Sequence, residues 1–226
     1  MRVPRPPHRW RLSPAHAIAV QTRLAGRVVD KWDGRVVRWV AGLDAAFSRS
    51  HCIGAVVLWD LAKGVVEERH IAVRPLIFPY IPGLLSFREA PALLGALRKL
   101  RRTPDVLICD GHGIAHPRRF GIASHVGVLT GLPSIGCAKS RLTGEYYEPG
   151  PCRGESAPLV DHGEVIGAVV RCKANTKPVF VSVGHLIDLG LAVETVLTAA
   201  TVYRLPEPTR LADLLVTAAR KRFNRP

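Results

Sequence analysis

Two aspartates stand directly after apolar runs that have the composition of buried β-strands. Asp44 follows VAGL and Asp110 follows VLIC. Open α/β sheets place their ligands at the carboxyl ends of strands, so the two carboxylates would meet if the strands are neighbours. Two carboxylates at such a short distance repel each other unless a cation lies between them. Hard oxygen ligands of this kind suit Mg²⁺ or Mn²⁺. The alternative, which spacing leaves open, is that both aspartates only end strands and cap loops.

Glu89 is a third candidate metal ligand, and its position depends on where the next helix begins. The sequence SFRE matches a capping box, with Ser86 as the N-cap and Glu89 bonding the backbone at the helix start. Pro91 would then lie inside the helix, where it lacks an N–H donor. We therefore predict that the helix begins near Pro91 and that Glu89 lies in the loop before it.

The segment GHGIAHPRRFG, directly after Asp110, combines groups that suit a phosphate or metal site. Its glycines let the backbone approach a ligand, its histidines can carry protons or bind metals, and its arginines can bind phosphates. His112 and His116 have the spacing of a helical zinc site, but Gly113 and Pro117 favour a loop.

Three further residues are candidates for contact with a substrate. Lys139 follows the apolar run PSIGCA and can stabilise a phosphate in its transition state, or it is an ordinary exposed lysine. His185 precedes a helix and could face the same edge of the sheet. Tyr80 lies between two prolines in FPYIPG, where it either forms a stiff aromatic wedge for a base stack or packs on the core.

The order of predicted elements indicates an α/β fold. Three Val-rich runs, at 35–44, 52–60 and 64–73, predict sequential antiparallel strands. An amphipathic helix at 87–102 is followed by a βαβ unit at 105–109, 118–131 and 133–139. A strand pair at 164–172 and 178–184 and two helices at 188–205 and 209–223 complete the chain. This order is compatible with a ribonuclease H-like mixed sheet, three antiparallel strands followed by parallel βα units, with helices on both faces.

Composition indicates one domain over residues 1–226, with a flexible basic tail at 1–12. Five cysteines without a CxxC pair indicate neither a disulfide framework nor a zinc knuckle, and they favour the cytoplasm. No apolar stretch predicts a signal peptide or a membrane span. The net charge of +14 makes nucleic acid the leading partner, although an arginine-rich genome would also explain it.

Several long motifs, in this order, resemble the endonuclease V family. They cover most of the chain from about Ala41 to Asp213 and read VAGLDAAFS, FPYIPGLLSFREAPALL, CDGHGIAHPRRFGIASHVGVLTGLPSIGCAKSRL, VSVGHLIDL and LPEPTRLAD. The resemblance implies a ribonuclease H-like fold that binds Mg²⁺ or Mn²⁺ and acts on DNA containing hypoxanthine, the base of deoxyinosine. It implies hydrolysis of the second phosphodiester on the 3′ side of the lesion, which leaves 3′-hydroxyl and 5′-phosphate ends.

The resemblance also assigns roles to residues. Asp44, Asp110 and Glu89 match the metal-binding acids, and Tyr80 matches a wedge that enters the DNA. Residues that match the lining of the pocket for the flipped base are Gly83, Leu85, Gly111 and Ile122. Residues that match polar groups near the reacting phosphate are Lys139 and His185, with His116 and Arg118 expected to contact a phosphate or to support the ligands.

Two alternatives to a DNA-cleaving enzyme stay open. The substrate could instead be RNA that contains inosine, because contacts with the 2′-hydroxyl cannot be placed from sequence. A nucleic-acid-binding protein without nuclease activity is the other alternative, although all the proposed ligands are present. We expect a monomer.

Overall fold

An eight-stranded mixed sheet forms the centre of the fold. The structure is a computed structural model and describes residues 1–223. The strands are β1 (Trp39–Phe47), β2 (His51–Asp60), β3 (Val65–Pro75), β4 (Val106–Cys109), β5 (Ser134–Ala138), β6 (Ser156–Asp161), β7 (Glu164–Val170) and β8 (Val179–His185). The helices are α1 (Pro14–Ala25), α2 (Ser86–Leu97), α3 (Ile122–Thr130), α4 (Leu189–Ala199) and α5 (Glu207–Phe223). The strand order across the sheet is β3-β2-β1-β4-β5-β8-β7-β6.

The register of β1, β4 and β5 brings their carboxyl ends to one edge of the sheet. β1, β2 and β3 are antiparallel neighbours, whereas β4 pairs in parallel with both β1 and β5. Leu43 pairs with Cys109, which places Asp44 beside Asp110. The predicted α/β fold, three antiparallel strands followed by parallel βα units, is therefore confirmed.

β1 is longer at its end than predicted. β1 continues to Phe47, three residues beyond Asp44, because its pairing with β2 persists as far as the pair Phe47–Cys52. Asp44 thus lies inside β1, in the part that extends past the end of β4. The aspartate still lies at the predicted edge, since the neighbouring parallel strand ends there.

β6, β7 and β8 extend the sheet as antiparallel strands. The predicted pair is confirmed as β7 and β8. β6 was not predicted, because this edge strand is mostly half-buried or exposed and contains Pro158, so it lacks a continuous apolar signal. β8 is antiparallel to β5, so its carboxyl end lies at the edge opposite Lys139.

Helices cover both faces of the sheet, as predicted. α2 and α3 pack on one face and α5 packs on the other, and two glycines in the sheet allow close approach. A Cβ atom at Gly42 would lie 2.1 Å from the backbone of Pro208 in α5. A Cβ atom at Gly54 would lie 2.6 Å from the backbone of Ala92 in α2. These contacts hold α5 against β1, which carries Asp44, and α2 against its neighbour β2.

The predicted start of α2 is wrong. The helix begins at Ser86 and includes Pro91, so Glu89 lies in its first turn rather than in a loop. The burial of Phe87, Leu93 and other side chains of this helix offsets the backbone hydrogen bond that the proline cannot donate. The capping box is not formed either, because Leu85 occupies the N-cap position.

Residues 1–12 pack against the domain instead of extending away as the predicted tail. Trp10 packs near Phe87, with ring centroids 6.4 Å apart. The Nε2 atom of His8 lies 2.9 Å from Nε2 of His125 in α3. The N-terminal amine donates to the carbonyl of Leu100. Over residues 1–223, no helix combines the length and the apolar character needed to cross a bilayer.

Candidate active site

Three carboxylates converge at the carboxyl edge of the central strands. Asp44 comes from β1, Asp110 follows β4, and Asp213 comes from α5. One oxygen of each lies within 4.8 Å of one oxygen of both others. Asp213 was not predicted as a ligand, because the predicted acids follow strands or lie in the loop before α2, whereas Asp213 lies within α5. The signal was available, since Asp213 ends the motif LPEPTRLAD.

Mutual repulsion and burial make these carboxylates hard to ionise without a cation. Burial raises the pKa of Asp44 to about 8, and the neighbouring charge of Asp110 adds to the shift. Burial also raises the pKa of Asp110, although Lys139 opposes this. The Nζ atom of Lys139 lies 2.5 Å from Oδ2 of Asp110 and 3.6 Å from Oδ1 of Asp213. A single ammonium therefore serves three carboxyl groups, and a further cation would favour their ionised forms.

Glu89 lies close to this cluster but outside its tightest set. The first turn of α2 buries the side chain, and burial raises its pKa to about 8, with the charges of Asp44 and Asp110 as further causes. Within residues 1–223, the set of acids that lie within 4.8 Å of one another contains the three aspartates and not Glu89. Glu89 also lines a neighbouring cavity together with Asp110.

That cavity has a volume of about 330 Å³ and adjoins the carboxylate cluster. All four residues expected in a base pocket line it, namely Gly83, Leu85, Gly111 and Ile122. Gly83 has a φ of 76° and Gly111 a φ of 152°, a conformation that side chains rarely adopt. A Cβ atom at Gly111 would lie 2.6 Å from Cγ2 of Ile122. At Gly111, both the backbone conformation and the lack of room for a side chain therefore require glycine.

Tyr80 stands at the mouth of the cavity. Its side chain is 69% exposed, and it lies in the loop that joins β3 to α2. The alternative that this ring packs on the core is wrong. An exposed aromatic ring between Pro79 and Pro82 is held on a stiff loop beside a cavity of the size of a base.

Sequence comparison decides the family. The profile of the endonuclease V family matches residues 22–214 of this chain. The chain belongs to the endonuclease V family. An endonuclease V from Roseiflexus sp. strain RS-1 is 49% identical over 211 residues, which cover 93% of this chain and 95% of the relative. The predicted class, an endonuclease, is confirmed at this level.

Solved structures of endonuclease V share the fold. The crystal structure of the Streptomyces avermitilis protein has a TM-score of 0.91 and 44% sequence identity, covering 96% of each chain. The Ciona intestinalis protein has a TM-score of 0.80 and 26% identity, covering 93% of this chain and 98% of that one. The Ciona structure is a complex with a 24mer DNA that contains an inosine followed by a ribo-adenosine.

His116 and Arg118 support the cavity wall of this endonuclease V chain. Nε2 of His116 lies 3.0 Å from the carbonyl oxygen of Gly83, and Nη2 of Arg118 donates to the same oxygen at 2.7 Å. Their polar groups therefore hold the loop that carries Tyr80, which matches a supporting role rather than direct contact with a phosphate. His112 and His116 lie in a loop, as their neighbours favoured, so they do not form a helical zinc site.

The predicted catalytic position of His185 is wrong. It pairs with Ser134 at the amino end of β5, whereas Lys139 follows the carboxyl end of that strand. The length of β5 separates the two ends by roughly 13 Å. His185 instead accepts a hydrogen bond from the backbone N–H of Val29 through Nδ1, at 3.2 Å. The motif identified a strand end correctly, but the strand runs in the opposite direction.

A second, more open cleft contains the carboxylate cluster. It has a volume of about 450 Å³, and Asp44, Lys139, Asp213 and Arg220 line it. Asp213 and Arg220 are seven residues apart in α5, a spacing that places both on one face of the helix. All three aspartates line this open, partly basic cleft, and Asp110 also lines the pocket of base size, so the two cavities meet at Asp110.

Proposed function

We propose that this endonuclease V chain uses Mg²⁺, with Mn²⁺ as a substitute, to hydrolyse DNA that contains deoxyinosine, as a step in DNA repair. The cut falls at the second phosphodiester on the 3′ side of the lesion and leaves 3′-hydroxyl and 5′-phosphate ends. The observation that carries the proposal is that a base-sized cavity and the cluster of three aspartates share Asp110. The inosine in the DNA of the Ciona complex supports the choice of lesion.

The donor groups fit a hard divalent cation. Asp44, Asp110 and Asp213 would hold it, since their oxygens converge and a bound cation would stabilise the ionised carboxylates that burial disfavours. Glu89 is a further candidate ligand, directly or through water, because its buried carboxyl feels the charges of two of these aspartates. When bound, the cation would lower the pKa of an attacking water and offset charge on the leaving 3′-oxygen.

Lys139 is the cationic group that this chain itself supplies to the reaction. Burial lowers the pKa of the Lys139 ammonium, but the hydrogen bond and charge of Asp110, together with the charges of Asp44 and Asp213, raise it by more than burial lowers it. The lysine is therefore protonated at neutral pH and can donate hydrogen bonds to a phosphate oxygen in the open cleft. A fixed donor at developing negative charge is a common source of rate enhancement.

The cavity beside Glu89 would receive the flipped base. Its volume of about 330 Å³ lies within the range of pockets for small ligands. Backbone groups at Gly83 and Gly111 can approach the base closely because neither residue carries a side chain. Extrusion of a base costs a few kcal/mol, and stacking of the Tyr80 ring in the vacated space would return about 1–3 kcal/mol.

Two cavities that meet at Asp110 would allow a cut displaced from the lesion. If the base occupies the base-sized cavity, the strand would continue past Asp110 into the cleft lined by Lys139 and Arg220. The reacting phosphate would then belong to a nucleotide beyond the lesion. The net charge of +14 supplies attraction to the phosphate backbone that is independent of sequence.

One experiment tests the substrate, the metal requirement and the position of the cut together. A duplex with a single deoxyinosine is incubated with Mg²⁺, and the cut position and end groups are mapped; the same duplex with deoxyadenosine is the control. Cleavage of both duplexes at equal rates, or a cut at a different bond, would contradict the proposal. The Asp110→Asn variant distinguishes this activity from a contaminating nuclease.

RNA that contains inosine is a second candidate substrate. The Ciona complex favours it, because a ribonucleotide follows the inosine in its DNA. The position of a 2′-hydroxyl relative to the cluster determines whether ribose is tolerated there. Matched DNA and RNA oligonucleotides with one inosine decide between the two substrates by their relative kcat/KM.

A further inference from the structure

Gln21 is a buried polar residue in a helix that carries none of the acids of the active site. The buried residues of α1 are Ala17, Gln21 and Leu24, which form one stripe at helical spacing. Ala17 and Leu24 pack in apolar clusters, and Gln21, between them, is 1% exposed. An apolar side chain would be the expected residue at this position, so the amide requires a specific explanation.

The side-chain amide of Gln21 is hydrogen bonded at both ends. Its Nε2 atom donates to the carbonyl oxygens of Gly83, at 2.9 Å, and of Phe120, at 2.8 Å. Its Oε1 atom accepts a hydrogen bond from Nε of Arg118, at 2.6 Å. Both donors of the amide group are therefore used, and only a glutamine in this rotamer supplies all three bonds.

These bonds join two walls of the base cavity that are distant in sequence. Gly83 belongs to the wall formed by the loop of Tyr80, and Phe120 directly precedes Gly121 and Ile122 in the opposite wall. The Gln21 amide bridges the two walls, and its own side chain also lines the cavity. The width of the cavity at this point thus depends on one side chain of α1.

The Gly83 carbonyl is held by more donors than a carbonyl oxygen needs. It accepts from Gln21, His116 and Arg118, although a carbonyl oxygen has two lone pairs. The orientation of the peptide that leads into α2 is therefore fixed, in a glycine with a φ of 76°. Loss of Gln21 would leave two donors at Gly83, but it would remove the donor to Phe120 and the link between the walls.

We infer that Gln21 is a positioning residue that sets the separation of the two cavity walls and thereby the affinity for the flipped base. This role rests on the proposed cleavage of inosine-containing DNA. Gln21 acts through Gly83 and Phe120. Within residues 1–223, none of the hydrogen bonds of its side chain goes to the carboxylate cluster. Its loss should weaken base binding and leave the chemical step and the metal affinity intact.

The test compares Gln21→Met with Leu24→Ala. Met fills the space of the glutamine without its polar groups. Leu24→Ala weakens the apolar packing of the same helix, including its cluster with Phe120, but keeps all three hydrogen bonds of Gln21, so it separates loss of packing from loss of the bridge. Single-turnover cleavage of an inosine duplex is measured over a range of enzyme concentrations. For Gln21→Met we expect the half-saturating concentration to rise about tenfold and the rate at saturation to change less than about twofold. Leu24→Ala should keep the wild-type half-saturating concentration.

A second variant of Gln21 keeps the test decisive if Gln21→Met does not fold. Gln21→Glu keeps an acceptor for Arg118 but loses both donors to the walls, so it should show the same rise in half-saturating concentration. Mn²⁺ binding, measured by calorimetry without substrate, should equal that of the wild type in all three variants. An unchanged half-saturating concentration in both Gln21 variants, or an equal rise in Leu24→Ala, overturns the inference. Failure of the wild type to cut the inosine duplex would instead overturn the proposed function.

Discussion

Nζ of Lys139 lies 2.5 Å from Oδ2 of Asp110, at the ends of two adjacent parallel strands. The pairing places a cation where the strand of DNA would pass the carboxylates, and it lowers the pKa of the Asp110 carboxyl against the effect of burial. The lysine and the aspartate therefore act on each other before any substrate arrives.

Replacement of Lys139 by Met should lower the cleavage rate more than it lowers DNA binding. Removal of a single preorganised donor at a charged transition state typically lowers kcat by about 10²–10³. The rate is measured by single-turnover cleavage, and binding by fluorescence anisotropy in Ca²⁺ or without metal. Lys139→Arg, which keeps the charge, should recover part of the rate. A rate within about twofold of the wild type would contradict a role for Lys139 near the phosphate.

Replacement of Asp213 by Asn should weaken metal binding and abolish most cleavage. The substitution removes one of three converging charges, and the remaining Asp44 and Asp110 would ionise more easily without a cation. Mn²⁺ affinity is measured by calorimetry, and we expect a fall of about tenfold or more. Asp33→Asn is the control, because Asp33 lies at the exposed surface, outside the cluster. Equal Mn²⁺ affinity in the Asp213→Asn variant and the wild type would remove Asp213 from the metal site.

Sequence patterns predicted the elements that carry the two strand-end acids. The apolar runs before Asp44 and Asp110 are complete in the sequence, and a parallel pairing places their ends together. The direction of β8 was not predictable in the same way, because an apolar run reads the same in parallel and antiparallel strands. His185 was therefore placed at the wrong edge. The direction depends on the β7–β8 pairing, which is a long-range feature.

Residues on helices were harder to place than residues after strands. Asp213 and Gln21 reach the site only because α5 and α1 pack where they do, and helical spacing predicts a buried face without naming its neighbour. Pro91 predicts a later helix start and a loop position for Glu89, but the packing of α2 tolerates the proline inside the helix. Tertiary contacts decided all three positions.

Replacement of Tyr80 by Ala should reduce the preference for the lesion without destabilising the fold. The ring is mostly exposed, so its removal leaves the core intact, but it would no longer stack in the space left by the base. The lost stacking corresponds to about 1–3 kcal/mol per base. The measurement is kcat/KM on inosine and adenosine duplexes, with Tyr147→Ala, another exposed tyrosine, as the control. Tyr80→Phe should retain the preference for the inosine duplex. A preference in the Tyr80→Ala variant equal to that of the wild type would refute the role of Tyr80 as a wedge.

Removal of divalent cations should stop cleavage. The donor set is made of carboxylate oxygens, so Mg²⁺ or Mn²⁺ should restore activity after treatment with EDTA, and Zn²⁺ should restore it poorly. Because the three aspartates repel one another, the protein without metal should also be less stable than the protein with Mn²⁺. Thermal unfolding with EDTA and with Mn²⁺ measures this difference. Cleavage that resists EDTA would exclude the proposed mechanism.

His125 links α3 to the N-terminal segment through buried hydrogen bonds. Nδ1 of His8 lies 2.9 Å from the carbonyl oxygen of Arg9, so in a neutral ring it is the donor and Nε2 is the acceptor. His125 then donates from Nε2 to His8 and accepts from the hydroxyl of Ser86 through Nδ1, at 2.9 Å in each bond. Burial, with a smaller contribution from the nearby His8, lowers the pKa of His125 to about 3.

This buried histidine should make the fold less stable as the pH falls. The pKa of His125 is about 3 in the folded state and about 6.5 in the unfolded state, so the unfolded chain binds the additional proton between these values. The stability contribution is complete above pH 6.5 and decreases as the pH falls towards 3, by on the order of 2–3 kcal/mol between pH 6.5 and 4. Asp44 and Glu89, with raised pKa values, act in the opposite direction, so the effect is isolated as the difference between wild type and His125→Gln. Urea unfolding in EDTA from pH 7 to 4 measures it, and curves that run parallel for the two proteins would show that His125 is not the titrating group.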